Sequence, residues 1–407
     1  MRRLAVLACL CLVGANAMAG MSMLESPAGA GSLAPTLSVG HDGRDIVMTW
    51  LEPVGQDGHA LKFSRFDGNA FAPAAEISRG TDWFANWADT PGLFMLENGD
   101  WLAHWLEKSG DSTYAYDIRL SLSSNNGESW SESWVPHADG SPSEHGFVSF
   151  YHDGSEQAGI IWLDGRNTVA GGHDSTHSGP GAMTLRGAII DGSGRTVQRQ
   201  LLDERVCDCC QTASAMTSNG PVVVYRDRSE DEIRDIAITR QTASGWSEPR
   251  LVHRDGWNIA GCPVNGPSII GDGKQRLVVA WFTMADGIPR VELAVSANAG
   301  KTFSAPTAFS SGTALGRVQL AWQEQGFLLA WMNETDAGAE MRLARFDENA
   351  EQISERVLTG LAKSRVSGFP QIVVTENRLL VVWTGSEKAN ESRPATRIEA
   401  AVFPLER

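Results

Sequence analysis

Residues 268–282 read SIIGDGKQRLVVAWF. An apolar segment runs into a Gly/Asp turn, and a second apolar run then ends in an aromatic residue, Trp281. Two short strands joined by a hairpin satisfy that pattern. The second half recurs along the chain as DIVMTW, DWLAHW, QAGIIW, PVVVY, RLVVAW, FLLAW and RLLVVW, ending at Trp50, Trp105, Trp162, Tyr225, Trp281, Trp331 and Trp383. The intervals are 55, 57, 63, 56, 50 and 52 residues. Even spacing of this length marks architectures in which each repeat buries its apolar faces against its neighbours.

Each copy sits in the same surroundings. A polar loop and an alternating strand follow it, such as IRLSLS or VELAVS, and a further turn leads to an aromatic, as in NAFAP, GESWSES, SGWSEP and GKTFSAP. That makes four strands per unit, with no helical periodicity anywhere. The expected fold is all-β: a seven-bladed β-propeller, with six blades as the alternative count. The last unit ends at TRIEAAVF without a fourth strand, whereas a spare segment, residues 21–31, precedes the first inner strand. This N-terminal piece is expected to close the last blade. One domain then spans residues 20–407.

Residues 1–19 read as a secretory signal: Arg2 and Arg3, a short apolar run, and small residues at Ala15, Ala17 and Ala19. The expected location is periplasmic or extracellular. No apolar run is long enough to span a bilayer as a helix. The formal net charge of −15 argues against nucleic acid or anionic membrane as partners. A monomer is expected.

SSNNGESW (residues 123–130) and SANAGKTF (residues 296–303) resemble the Asp-box, the Ser-x-Asp-x-Gly-x-Thr-Trp turn of sialidase-like (BNR-repeat) propellers. Both fall between third and fourth strands, where that family carries the turn. The third side chain should bridge the turn, Gly127 and Gly300 should take positive φ, and the aromatic should pack between sheets. Asn125 and Asn298 replace the aspartate. The resemblance implies the propeller strongly and the activity weakly. The family's hydrolysis needs three arginines, a Tyr–Glu nucleophile pair and an acidic proton donor. Asp89 or Asp164 would suit the donor, but no Arg-Ile-Pro motif opens the first blade. All four tyrosines lie at or before position 225, whereas the family's nucleophile comes late.

In a propeller, the loops entering first strands and leaving second strands open on one side, around the axis. That places Trp83, Trp87, Asp89, His145, Cys207, Cys209, Cys210, Cys262, Asn265, Arg317 and Arg365 at one mouth. Asp164, Arg166, His173, Asp174, His177, Arg226, Asp227 and Arg228 join them from the other loops. Cys207, Cys209, Cys210 and Cys262 come from adjacent blades and are the only cysteines outside the signal segment. They suit two disulfides in an oxidising compartment, or a thiolate site for Zn²⁺ or Cu⁺, given the C-x-x-C spacing with two further sulfurs. Arg166, Arg226 and Arg228, with Asp164, Asp227 and Asn265, form the expected ligand set, since guanidinium forks match anionic groups. Pairing of those arginines with nearby carboxylates is the plainer reading.

Three functions stay open at this point. One is an exported propeller that binds a metal ion or a small anionic ligand, or a glycan, at its Cys/Arg-rich mouth. The second is a glycoside hydrolase of exo-sialidase type. The third is a structural or protein-binding propeller held by disulfides.

Overall fold

The computed structural model describes residues 20–168, 181–386 and 396–405. The expected signal segment and the loop carrying His173, Asp174 and His177 lie outside those residues. Seven antiparallel sheets follow one another along the chain, over residues 33–80, 92–134, 145–206, 213–251, 268–309, 314–361 and 371–404. They form a seven-bladed β-propeller, and the six-bladed alternative is excluded. Most blades have four strands in simple up-and-down order. The second blade has three, its outer edge reduced to a bridge between Leu120 and Trp134. In the fourth blade the outer edge is split into the pairs Gly245–Trp246 and Arg250–Leu251.

The ring closes as the sequence leads one to expect. Ser22–Leu24 pairs antiparallel with Thr396–Pro404, so the N-terminal segment supplies the outer strand of the seventh blade. The inner strand Leu33–Val39 packs against Gln371–Thr375 of that same blade. Joining the two ends of the chain in this way removes an exposed sheet edge.

The recurring aromatics form the core. Each lies on the second strand of its blade, a strand buried on both faces, and all seven are at most 2% exposed. Among the described residues, each pair of neighbouring blades shares one apolar cluster, including the pair that closes the ring, where Met48 and Trp50 meet Leu380 and Val382. Three of the indoles satisfy their N–H groups from two positions along the strand. Trp50, Trp162 and Trp331 donate to Glu52, Asp164 and Asn333 at 3.2, 2.8 and 3.0 Å. Tyr225, the exception in the column, donates to Asp203 at 2.6 Å.

The two Ser-x-Asn-x-Gly turns have the expected geometry. Asn125 Oδ1 accepts from the Ser129 amide at 3.0 Å, and Asn298 Oδ1 from the Thr302 amide at 2.9 Å. Gly127 and Gly300 have φ of +85° and +75°. Trp130 and Phe303 pack between adjacent blades. Asparagine does the bridging work of aspartate because the turn uses one carboxamide oxygen as acceptor, and the Nδ2 group adds a bond to the residue-129 or residue-302 hydroxyl.

Candidate functional site

At the mouth of the ring, two hollows share a wall. One, of about 290 Å³, is lined by Phe84, Trp87, Asp89, Tyr116, Glu144, Phe147, Cys209, Cys262, Val264 and Arg365. The other, of about 280 Å³, is lined by Trp87, Cys262, Asn265, Arg317, Lys363 and Arg365, among others. Trp87, Cys262, Val264 and Arg365 belong to both. Residues as far apart in the chain as Phe84 and Arg365 therefore meet here, as the loop-sorting rule requires.

Cys262 sits in the common wall and Cys209 lines the first hollow, with Cys207 and Cys210 buried close to Cys209. Cys207, Cys209 and Cys210 are buried and Cys262 is partly exposed. Ligand atoms of the first three lie within 4.8 Å of one another, and Cys207 Sγ is 3.5 Å from Cys210 Sγ. A disulfide needs about 2.05 Å. All four are free thiols, so the disulfide alternative is not the arrangement found. The two cysteine loops are locked together at Gly266, where any Cβ would fall 2.2 Å from the Gln211 carbonyl oxygen. Gln211 ties both to the second blade: its Oε1 accepts from the Gly266 amide at 3.0 Å, and its Nε2 donates to Ala88 O at 2.8 Å.

Electrostatics distinguish Cys207 from its neighbours. Burial raises its pKa, but hydrogen bonding with Cys209 and Cys210 and the charges of Arg234 and Arg226 hold it well below the usual thiol value. Arg234 Nη1 stands 3.1 Å from Cys207 Sγ. Burial pushes the Cys209 and Cys210 thiols up. The guanidiniums are themselves anchored. Arg226, 1% exposed, donates to the carbonyls of Asn265, Arg234 and Phe282 at 2.6–3.0 Å. Arg234 also donates to Glu232 at 2.7 Å.

The first hollow carries a chain of acid–base groups. Tyr116 Oη lies 2.7 Å from Glu144 Oε1 and 3.0 Å from Asp89 Oδ2, all three buried. Asp89 Oδ1 accepts from the Phe147 amide at 2.8 Å. Burial, with Glu144 nearby, pushes Asp89 up to about 8 despite those hydrogen bonds. Tyr116 has a single proton to offer, so it serves one of the two carboxyls at a time, and burial favours the protonated form of Asp89.

The expected anion-binding residues are distributed differently. Arg166 pairs with Asp164 at 2.7 Å and reaches Asp139 at 3.3 Å. Arg228 is divided between Asp208 and Glu232 at 3.2 and 2.7 Å. Asp227 holds the Arg228 amide at 2.8 Å, and burial raises it to about 6. Asp164 also belongs to a cluster with Asp117, Asp139, His137 and His145. Of the expected set only Asn265 lines either hollow, and it shapes the backbone, accepting from the Arg317 amide at 2.8 Å. Trp83 packs into the core against Trp105. Tyr116, Glu144 and Arg234 escaped the sequence reading. Arg234 stood within the conspicuous YRDRSEDEIRD run, whereas nothing in the sequence links Tyr116 to Glu144.

No family model matches the chain, and no curated protein matches it. Among solved structures, a protein of unknown function from Dyadobacter fermentans is similar over 95% of this chain and 98% of its own, at 13% identity and a TM-score of 0.53. The K499G mutant of NanB sialidase from Streptococcus pneumoniae aligns over 94% of both chains, at 9% identity and a TM-score of 0.49. A PL25 ulvan lyase aligns over 79% and 77%, at 10% identity and a TM-score of 0.44. At such identities likeness concerns the fold alone. In fold, this chain is a seven-bladed β-propeller.

Proposed function

We propose that the protein is a metal-binding propeller in which Cys207, Cys209, Cys210 and Cys262 hold a soft ion, Zn²⁺ or Cu⁺, in the wall of its axial mouth. The observation that carries this reading is the unbonded sulfur cluster backed by guanidinium. Zinc in a tetrahedral thiolate site has bonds of about 2.3 Å, which puts neighbouring sulfurs about 3.8 Å apart. The Cys207–Cys210 separation of 3.5 Å is close to that spacing and far from a covalent bond. Several thiolates around one cation leave excess negative charge, and Arg234 and Arg226 supply the offset. In an exported chain, ligation would also keep the thiols from oxidation. Metal analysis and thiol titration of protein purified from its native compartment test the reading. One ion per chain, lost in Cys207→Ser and Cys210→Ser, is the expected result. Metal-free protein with no titratable thiols after denaturation refutes it.

The Asp89–Tyr116–Glu144 chain favours a second reading, hydrolysis of a glycosidic bond in the first hollow. Asp89 would protonate the leaving oxygen, and Glu144 would draw the proton from Tyr116 as it attacks. Turnover of a fluorogenic sialoside, abolished in Tyr116→Phe, supports that reading. No turnover between about pH 4 and 9, with Asp89 titrating inside that range, removes it.

A further inference from the structure

The second hollow, unlike the first, has no acid in its lining. Its ionisable lining is Arg317, Lys363 and Arg365, with Cys262 in the shared wall. The chain as a whole carries 49 acidic residues against 34 basic ones, so a guanidinium here would ordinarily find a carboxylate. Lys363 does, pairing with Glu334 at the rim. Among the described residues the Arg365 side chain has no hydrogen-bond or ion-pair partner.

Arg317 is held in place without being neutralised. Its guanidinium donates to the carbonyls of Gly368 at 2.7 Å and Ser364 at 3.2 Å, with the mutually stacked rings of Trp87 and Phe369 beside it at 5.1 and 5.8 Å. Burial and the charge of Arg365 lower it to about 10. Its backbone is strained, with φ of +55° in a bulge where strand register slips between Gly316 and Gln319. Gly316 makes that bulge possible, since a Cβ there would meet Asn265 Oδ1 at 2.3 Å. Bulges of this kind redirect a side chain, and strain is retained where the surroundings enforce it. Here the product is a pre-positioned, desolvated cation beside a second, unpaired one.

We infer that this cationic lobe binds a dianionic oxyanion, a phosphate or sulfate group, between Arg317 and Arg365. The charge count selects a dianion: two uncompensated guanidiniums face the hollow, and Lys363 is already offset by Glu334. Planar forks favour tetrahedral oxyanions through paired N–H donors. The remainder of a larger ligand would extend past Trp87 and Cys262 into the first hollow, towards Asp89 and Glu144.

Calorimetric titration of the full-length protein with inorganic phosphate, sulfate and acetate at about pH 8, where phosphate is dianionic, tests the inference. Saturable binding of phosphate or sulfate, with acetate at least about tenfold weaker, is expected. Preference between the two dianions tells which group the natural ligand carries. Arg365→Gln, at an exposed position, should weaken binding by about tenfold or more while leaving the melting temperature unchanged. Arg317→Lys should weaken it as well by losing the fork. Equal binding of acetate, or undiminished binding in Arg365→Gln, overturns the inference. So does binding that survives both substitutions and disappears on chelation, which would place the anion on the thiolate-bound metal.

Discussion

Two buried clusters at the mouth offer metal ligands, and they are built on opposite principles. Between the second and third blades, His137 and His145 stack with ring centroids 3.7 Å apart among Asp117, Asp139 and Asp164. The sulfurs lie on the loops that enter the fourth and fifth blades, packed against the cluster shared by the third and fourth. The imidazole cluster closes upon itself: Asp139 accepts from His137 at 3.0 Å and His145 at 3.2 Å, while Asp164 takes Arg166 and the Trp162 indole. His145 spends its other nitrogen on the Ser143 carbonyl at 3.1 Å. Opposite charges there neutralise one another. The sulfur cluster gathers like groups, and its compensation comes from guanidiniums standing behind it. Residue type is therefore a poor guide to metal binding. What separates the two regions is whether charge is neutralised within the cluster, as at the imidazoles, or by cations standing outside it, as at the sulfurs.

Removing the backing cation from each cluster should show the largest contrast. Arg226→Met leaves three buried carbonyls without donors, and a loss of about 3–5 kcal/mol in urea unfolding is expected. Arg166→Met, at a half-exposed site whose carboxylates retain the histidines, should cost about 1 kcal/mol. Comparable losses would erase the distinction between the regions.

The next largest effect belongs to His145. Burial alone would lower its pKa, but Asp117, Asp139 and Asp164 raise it to about 9. A group raised above its unfolded value of about 6.5 contributes stability that is full below that pH and lost as the pH climbs through 9. Unfolding free energy measured from pH 6 to 10 should fall by about 2 kcal/mol in the parent protein and stay flatter in His145→Gln. An unchanged slope in that variant would mean that another group holds the cluster together.

A further contrast concerns Asp89, a buried carboxyl of the first hollow. Its pKa of about 8 exceeds the ordinary carboxylate value, so the native state retains a proton that the unfolded chain releases. Stability attributable to Asp89 is highest at or below about pH 4 and declines as the pH rises towards 8. Asp89→Asn should flatten that part of the profile and leave the His145 part intact. A flattening of both parts would show that the acid chain and the imidazole cluster titrate as one system.

Much of the architecture could be read from residue order because it depends on local pattern. The seven buried aromatics sit on strands apolar on both faces, which a short sequence window reports faithfully. The unmatched strand at each end of the chain likewise signalled closure, and Ser22–Leu24 answers to it. The positive φ of Gly127 and Gly300 followed from turn chemistry alone. The grouping of the four cysteines needed only the topology rule that sends alternate loops to one end of the ring.

Which polar groups partner one another was a different matter. Arg226 looked like an anion ligand in the sequence, yet its guanidinium is committed to carbonyls of Asn265, Arg234 and Phe282. Tyr116 and Glu144 looked unremarkable, yet they share a hydrogen bond. Arg317 owes the placement of its half-buried charge to a one-residue slip in its strand. Such pairings depend on register between neighbouring blades and on side-chain reach of a few ångströms, and no periodicity encodes either. Repeated local preferences therefore determined the ring, whereas the chemistry of its mouth was decided only when distant loops were packed together and their charges had to be satisfied by whatever lay alongside.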